Sequence, residues 1–193
     1  IYAQVGYFTV SYNVADRMSD ISNPLVLTHF PRSTQLKNKS REEAKKFTQN
    51  VLSQLSALYI LIAPFSTLAI YYLLTLIFSK AYQASVLPAI ILSFAVMLIG
   101  LSRIVNNYYA SIYEHKANTV ILFIGLCFNA LGFIFAIKNG LGITGISVVM
   151  LVSLVLVLAI QLAYLRIKLQ LPLSLSPSYK GLLNSIRRLK NGE

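Results

Sequence analysis

The residues of this chain that could carry chemistry begin with a polar stripe in an otherwise apolar stretch, residues 6–31. Its polar side chains recur at steps of three or four, which places them on one face of a helix. A charge near the centre of a bilayer costs at least ~2.5 kcal/mol, so such residues normally face a bundle interior or an aqueous cavity. We therefore take this polar stripe as the first candidate functional surface. Its members are Thr9, Asn13, Asp16, Arg17, Asp20 and Asn23.

A second polar cluster lies farther along the chain, inside the predicted third membrane span. It contains Arg103, Asn106 and Asn107, and Arg103 and Asn107 are one helical turn apart. Arg103 has two interpretations. It lies within three turns of the loop at 114–116, so its guanidinium could snorkel to the membrane interface. Alternatively it faces a cavity, as intramembrane charges commonly do.

The composition places both clusters in a membrane protein. Of 193 residues, 56% are hydrophobic and 12% are charged, whereas about 25% are charged in a typical soluble domain. The apolar residues also form blocks longer than the ~20 residues that cross a bilayer. The sequence therefore predicts an all-α polytopic membrane protein with about five transmembrane helices.

Two further features exclude other classes of protein. The single cysteine, Cys127, excludes an intramolecular disulfide, a thiolate metal cluster and a redox pair, and we predict no cofactor and no metal. The net charge of +11 would suit nucleic acid, but the basic residues lie between and after the apolar blocks, where cytoplasmic loops collect them. We therefore predict no nucleic-acid partner.

The ends of the first two predicted spans are set by local signals. Pro31 should close the first span, because proline lacks an N–H and disfavours helix at the residue before it. Ser40 followed by Glu43 has the spacing of a capping box, which predicts a helix that starts near Arg41, runs along the surface and enters the membrane near residue 51. Pro64 should then kink the second span.

The chain is expected to form a transmembrane bundle, residues 1–170, and a basic tail, residues 171–193. Glycines at 140, 142 and 145 favour a tight turn before the last span. In the tail, apolar residues line one side of a helical pattern and basic residues flank them, which favours a short helix on an anionic membrane surface over a disordered tail. The predicted spans are residues 1–30, 51–78, 86–112, 119–137 and 142–165.

The basic residues give the orientation of these spans. With five spans, the segment 31–50, the loop 113–118 and the tail from residue 166 share one side of the membrane, and they hold thirteen Lys or Arg. The connections on the other side hold two. By the positive-inside rule, loop 31–50 and the C-terminal tail are cytoplasmic in a multi-pass protein of the cell membrane.

Two short motifs carry a resemblance to a known family. Val5, Gly6, Tyr7, Phe8 and Val10 match a "vGyysva" pattern, and Phe30 and Pro31 match the "fP" that follows it after a helix. Gly142 and Gly145 match a "yG..Ga" turn, with Leu141 in place of the aromatic residue. In these motifs the chain resembles the polysaccharide flippases, exporters of lipid-linked oligosaccharides, of the multidrug/oligosaccharidyl-lipid/polysaccharide exporter superfamily.

This resemblance implies a fold and an activity. Such proteins have 12 to 14 helices in two lobes, so the chain looks like most of the second lobe, and its partners would be membrane lipids and the missing N-terminal lobe. A first element that begins as if already inside a helix agrees with that expectation. The implied activity is not enzymatic. It is movement of a polyprenyl-diphosphate-linked oligosaccharide to the outer leaflet by alternating access around a cationic cavity, coupled to an ion gradient.

The resemblance also implies roles for the polar residues. Arginine suits a diphosphate or an acidic sugar, because it stays charged and offers a planar fork of donors. The substrate cavity would contain Arg17, Arg103, Asn13 and Asn107, and the coupling proton or Na⁺ would bind at Asp16 and Asp20. The alternative for the first cluster is a structural pair between Arg17 and Asp20, buried between helices.

Three other functions would need different residues from this chain. A multidrug exporter of the same superfamily would extrude small cations, for which acidic cavity residues matter more than arginine. An integral-membrane sugar-lipid transferase or polymerase needs a catalytic base and usually acidic metal ligands. The intramembrane charges argue against a structural or assembly subunit. The aqueous loops offer a transferase only four candidates, namely Glu42, Glu43, Glu114 and His115.

Overall fold

The computed structural model describes residues 2–77, 80–168, 170, 173, 175 and 177, and every regular element in these residues is helical. A π-helical turn, Leu73–Ile77, and a 3-10 segment, Lys80–Ser85, join the third and fourth α-helices. The predicted all-α class is therefore confirmed. The α-helices are α1 Tyr2–Asp16, α2 Ser19–Lys39, α3 Arg41–Tyr72, α4 Val86–Ser111, α5 His115–Lys138 and α6 Gly142–Ile167.

Four helical stretches within the described residues are long and apolar enough to cross a membrane. The last three agree with the predicted spans to within a few residues, because long apolar blocks are the strongest helix signal in the sequence. This composition indicates a membrane protein. The four stretches are Arg41–Leu76, Tyr82–Ser111, His115–Lys138 and Gly142–Ile167.

The predicted first span is two helices in the structure. α1 ends at Asp16, a turn follows at Arg17 and Met18, and α2 begins at Ser19. Neither half is among the four membrane-length stretches, since α1 has 15 residues and α2 carries many polar side chains. The count of five spans therefore stays a prediction.

The prediction that Pro31 ends a helix is wrong, because α2 continues through Pro31 to Lys39. Pro31 itself is exposed, whereas His29 and Ser33 on either side of it are buried against neighbouring helices. Tertiary packing thus keeps the chain helical although the proline removes one backbone hydrogen bond. A local breaker signal is overridden here by contacts made far along the chain.

The predicted start of a helix at Arg41 is confirmed. Ser40 has an extended backbone, with φ −158° and ψ 132°, and its Oγ accepts a hydrogen bond of 3.2 Å from the backbone N–H of Glu42. The second half of the capping box is absent, since the N–H of Ser40 donates to Leu36 O at 2.8 Å. Ser40 therefore ends α2 and begins α3, which continues through Pro64 as one helix to Tyr72.

Helix α4 is the centre of the bundle and packs against α1, α2, α3, α5 and α6. Tyr108, Tyr109 and Ile104 are among its fully buried side chains. Helix α5 packs mainly on α6, where Gly125 and Gly132 leave room for valines of α6, the small-residue contact typical of membrane helices. The rest of α5 presents exposed apolar side chains, as a surface facing lipid would.

The connection between α5 and α6 confirms the predicted tight turn. Gly140 and Gly142 have φ of 65° and 59°, a region that side chains with a Cβ rarely adopt. Beyond α6, Leu173 is buried in the main core cluster, so this residue packs against the bundle. The predicted basic helix near the C-terminus lies outside the described residues.

Candidate functional site

The break between α1 and α2 displays four of the predicted site residues. Asn13, Asp16, Arg17 and Asp20 are all exposed there, while Ala15 between them is buried in the core. Within the described part of the chain the guanidinium of Arg17 makes no hydrogen bond or ion pair. The structure therefore does not form the buried Arg17 to Asp20 pair that was the structural alternative, and the guanidinium of Arg17 is available to other groups.

A line of polar contacts, here called the α2–α4 seam, joins α2 to the central helix. On α4 it uses Arg103, Asn107 and Ser111, which are four residues apart and so share one face. Arg103 Nη1 donates to Asn23 Oδ1 at 3.1 Å, and Asn107 Nδ2 donates to the Val26 carbonyl at 2.8 Å. The predicted residues Arg103 and Asn107 are thus brought to the same interface.

The third contact of the seam is fully buried. Ser33 Oγ donates to Ser111 Oγ at 2.9 Å, and Ser111 Oγ in turn donates to the Tyr108 carbonyl at 2.8 Å. Both serines are at most 1% exposed. The seam therefore changes along its length, from an exposed charged end at Arg103 to a dry, hydrogen-bonded end at Ser111.

At the exposed end of the seam, the side-chain amide of Asn23 lies between the cation Arg103 and the anion Asp20. Asn23 accepts from Arg103 and donates through Nδ2 to Asp20 Oδ1 at 3.4 Å. No direct ion pair between Arg103 and Asp20 is formed. A guanidinium has five N–H donors, and only one of those on Arg103 is used by the described residues. An anion could therefore bind the remaining donors without breaking a salt bridge.

The position of Arg103 along α4 bears on its two interpretations. It lies eight residues before the end of the helix at Ser111, about 12 Å at the α-helical rise. Its side chain is exposed and is directed to Asn23 on α2. Arg103 is therefore held at the α2–α4 seam by a specific partner, within the last third of a membrane-length helix.

A second polar network is buried among α4, α5 and α6, and it includes Asn106, which the sequence analysis grouped with Arg103 and Asn107, and Gln161, which that analysis missed. Gln161 is fully buried, and its Oε1 accepts from Ser102 Oγ at 3.1 Å. Its Nε2 donates to Asn106 Oδ1 at 2.6 Å and to Asn118 Oδ1 at 2.8 Å. The side-chain amide of Gln161 is therefore fully satisfied, so it fixes α6 to its neighbours. The available signal was a lone glutamine in an apolar run.

His29 is also more deeply placed than its position near the predicted membrane exit suggests. It is 1% exposed, its Nε2 lies 3.1 Å from Thr48 Oγ1, and its ring stacks on Phe47. Since the Thr48 hydroxyl donates to the Ala44 carbonyl at 2.9 Å, His29 Nε2 is the donor of the pair. His29 thus fixes α2 against α3.

The loop residues named as candidates for a transferase lie at the start of α3 and at the start of α5. Glu42 is paired with Lys45 at 3.6 Å on the surface of α3, and His115 and Glu43 are exposed on different helices. Among the described residues no group of three His, Cys, Asp or Glu could hold a metal ion. The exposed break and the charged end of the seam are therefore the candidate site.

Comparisons of the chain with family models, with curated proteins and with solved structures give no match. Any function proposed for the chain therefore rests on its own residues, their arrangement and the resemblance of its short motifs.

Proposed function

We propose that the chain is part of a membrane transporter that moves a polyprenyl-diphosphate-linked oligosaccharide from the cytoplasmic to the outer leaflet by alternating access. The observation that carries this proposal is Arg103, an exposed cation on a membrane-length helix that keeps unused donors and has an amide partner. Arg17 adds a second exposed cation without a partner in the described residues. Two such groups suit a diphosphate, which guanidinium binds with charge-assisted hydrogen bonds.

Helices α1 and α2 together would then form one further span, the first in chain order, in addition to the four membrane-length stretches. This span would face the substrate path. Exposed charges at Asp16, Arg17 and Asp20 would be costly against lipid. They need water or another protein surface, and the N-terminal lobe implied by the family resemblance would provide it. The cavity would lie between that lobe and the face that carries the break, with Asn13 beside it.

Asp16 and Asp20 are the candidates for ion coupling in this proposal. Both are exposed at the break, and Asp20 is linked through Asn23 to Arg103. Protonation of Asp20 or binding of Na⁺ there would weaken its hold on Asn23, and Asn23 is the group that orients Arg103. The side-chain amide of Asn23 would thus couple ion binding at Asp20 to substrate binding at Arg103.

A leaflet assay tests the proposed activity. The full-length protein that contains this chain is reconstituted in vesicles with a fluorescent lipid-linked oligosaccharide, and access to an added quencher reports the leaflet. The proposal expects protein-dependent translocation of a chemically unchanged lipid. A transferase or polymerase would change the lipid chemically. If vesicles that contain the folded full-length protein do not translocate the lipid, the proposal is contradicted.

One observation favours a second candidate, a multidrug exporter of the same superfamily. Asp16 is exposed and makes no ion pair with described residues, so it could attract a cationic drug. The two functions differ in which charge matters. Efflux of a fluorescent cation that is lost on Asp16→Asn and kept on Arg17→Ala would favour the drug exporter over the flippase.

Reporter fusions test the proposed topology. Fusions at Lys39, at the end of α2, and at Gly192 are both expected to report the cytoplasm, because the basic residues collect on that side. Alkaline phosphatase should be inactive at both sites, and green fluorescent protein should fluoresce. A fusion at Asn139, in the turn between α5 and α6, is the control and should give the opposite result. An outer-face signal at Lys39 or Gly192 would rule out the five-span arrangement.

A further inference from the structure

A cavity of about 460 Å³ between α3, α4 and α6 has no role in the proposed transport path. Its lining is apolar apart from Ser56 and Tyr59 on α3, and it includes Phe94 and Met97 on α4 and Leu151 on α6. That volume lies within the range of about 300 to 1,000 Å³ that small-molecule sites occupy. The cavity is therefore large enough for part of a lipid.

The rim of this cavity opens on the outer surface of the bundle. Ile60 is 53% exposed and Phe94 is 39% exposed, and both belong to membrane-length helices. A ligand would therefore enter from the hydrocarbon phase between α3 and α4. This route suits a molecule that is already dissolved in the membrane.

The cavity lining contains two buried hydroxyls without a hydrogen-bond partner among the described residues, those of Ser56 and Tyr59. Ser56 is 6% exposed, and its Oγ has no hydrogen-bond partner in the described residues. A buried hydroxyl without a partner costs about 1 to 3 kcal/mol. Many comparable side chains avoid that cost by donating to a carbonyl of their own helix, among them Thr48, Ser66, Thr67, Ser93, Thr119, Ser147 and Ser153.

A second cavity gives an internal comparison. It measures about 240 Å³, lies between α4, α5 and α6, and also has polar residues in its lining. There Ser102 donates to Gln161, Asn129 donates to Ser153, and Ser153 donates to its own helix. The polar groups of that cavity thus have partners within the protein, whereas the hydroxyls of Ser56 and Tyr59 in the larger cavity have none in the described residues.

We propose that the α3–α4–α6 cavity binds a membrane glycerolipid, with an acyl chain along the apolar lining and an ester oxygen that accepts a hydrogen bond from Ser56. The apolar lining excludes a charged head group from the cavity, so the head group would lie outside the rim. The site is separate from the α2–α4 seam, and the proposal does not depend on the transported substrate.

A photoactivatable phosphatidylcholine with a diazirine on its acyl chain tests this site in vesicles that contain the whole protein. Crosslinks mapped by mass spectrometry are expected to concentrate on Ile60, Phe94 and their neighbours. Ser56→Ala should reduce that labelling by about two- to tenfold, the range for loss of one hydrogen bond. Ser66→Ala is the matched control, since the Ser66 hydroxyl already bonds its own helix.

A second variant fills the cavity. Ala63 is part of the lining, so Ala63→Phe should remove most labelling there and leave labelling of the exposed α5 surface unchanged. Ala69→Phe, at an exposed position of the same helix, should leave both unchanged. Labelling spread evenly over all exposed apolar surfaces and insensitive to Ser56→Ala would overturn the proposal. Labelling by a diazirine fatty alcohol but not by the phosphatidylcholine would overturn the assignment to a glycerolipid.

Discussion

Arg17→Ala is expected to reduce transport by about ten- to a hundredfold in the full-length protein while its level in the membrane stays near that of the wild type. The loss follows because charge-assisted hydrogen bonds are worth about 1.5 to 3 kcal/mol. The protein level should hold because the Arg17 side chain is exposed and makes no hydrogen bond to the described residues. Complementation of a transport-deficient strain, with parallel quantification of the protein, measures both quantities.

Two further variants separate charge from geometry. Arg17→Lys keeps the charge but loses the planar fork of donors, so it should retain partial transport. Lys138→Ala removes an exposed cation at the end of α5, away from the break, and should transport normally. If Arg17→Ala transports normally, or if it fails only because the protein disappears from the membrane, Arg17 does not contact the substrate.

Much of the fold follows from signals that are local in the sequence. Long apolar blocks placed α4, α5 and α6, because each is a helix whose length matches the bilayer. Ser40 marked the boundary of α3, since a capping side chain acts on a backbone N–H two residues away. Positive φ at Gly140 and Gly142 followed from the turn chemistry of glycine. Each of these outcomes needs only neighbouring residues.

The sequence predictions fail where contacts between residues far apart in the sequence determine the local structure. Pro31 is a helix breaker by local rules, yet α2 passes through it because His29 and Ser33 are held by α3 and α4. The division of the first predicted span at Arg17 has no strong local cause in the sequence, since neither proline nor glycine lies within the turn. The polar stripe predicted which residues of this region are polar candidates, but it did not predict the helix break at which they are exposed.

The candidate site could be predicted only in part, because its residues are visible in the sequence and their distant partners are not. The spacing of Arg103 and Asn107 shows that they share a face, but it does not show that α2 supplies their partners. Those partners are Asn23 and the Val26 carbonyl, about eighty residues earlier in the chain. Gln161 was missed because a single glutamine in an apolar run has no period, and its partners on α4 and α5 appear only when the helices pack.

Packing also makes one glycine of the central helix indispensable. At Gly100 three helices meet, and a Cβ there would overlap the hydroxyl of Tyr59 on α3 and lie 2.9 Å from Ser22 Oγ on α2. Tyr59 is 4% exposed and Ser22 is fully buried. An added methyl group would overlap the Tyr59 hydroxyl and lie within 3.0 Å of two Ser22 atoms, so side chains of both α2 and α3 would have to shift.

Gly100→Ala is therefore expected to destabilise the bundle by about 1 to 3 kcal/mol, the usual cost of overpacking a well-packed core. Gly6→Ala is the matched control, because a Cβ at Gly6 in α1 has nothing within 4 Å, and it should be neutral or slightly stabilising, since alanine favours a helix over glycine. Tyr59→Phe removes the overlapping hydroxyl, so the double variant should recover much of the loss, a coupling of about 0.5 to 3 kcal/mol. Since the chain has no tryptophan, helix loss during titration with SDS, followed by circular dichroism, is the measurement. Additive single effects, or a neutral Gly100→Ala, would mean that α2, α3 and α4 do not cross at Gly100 as described.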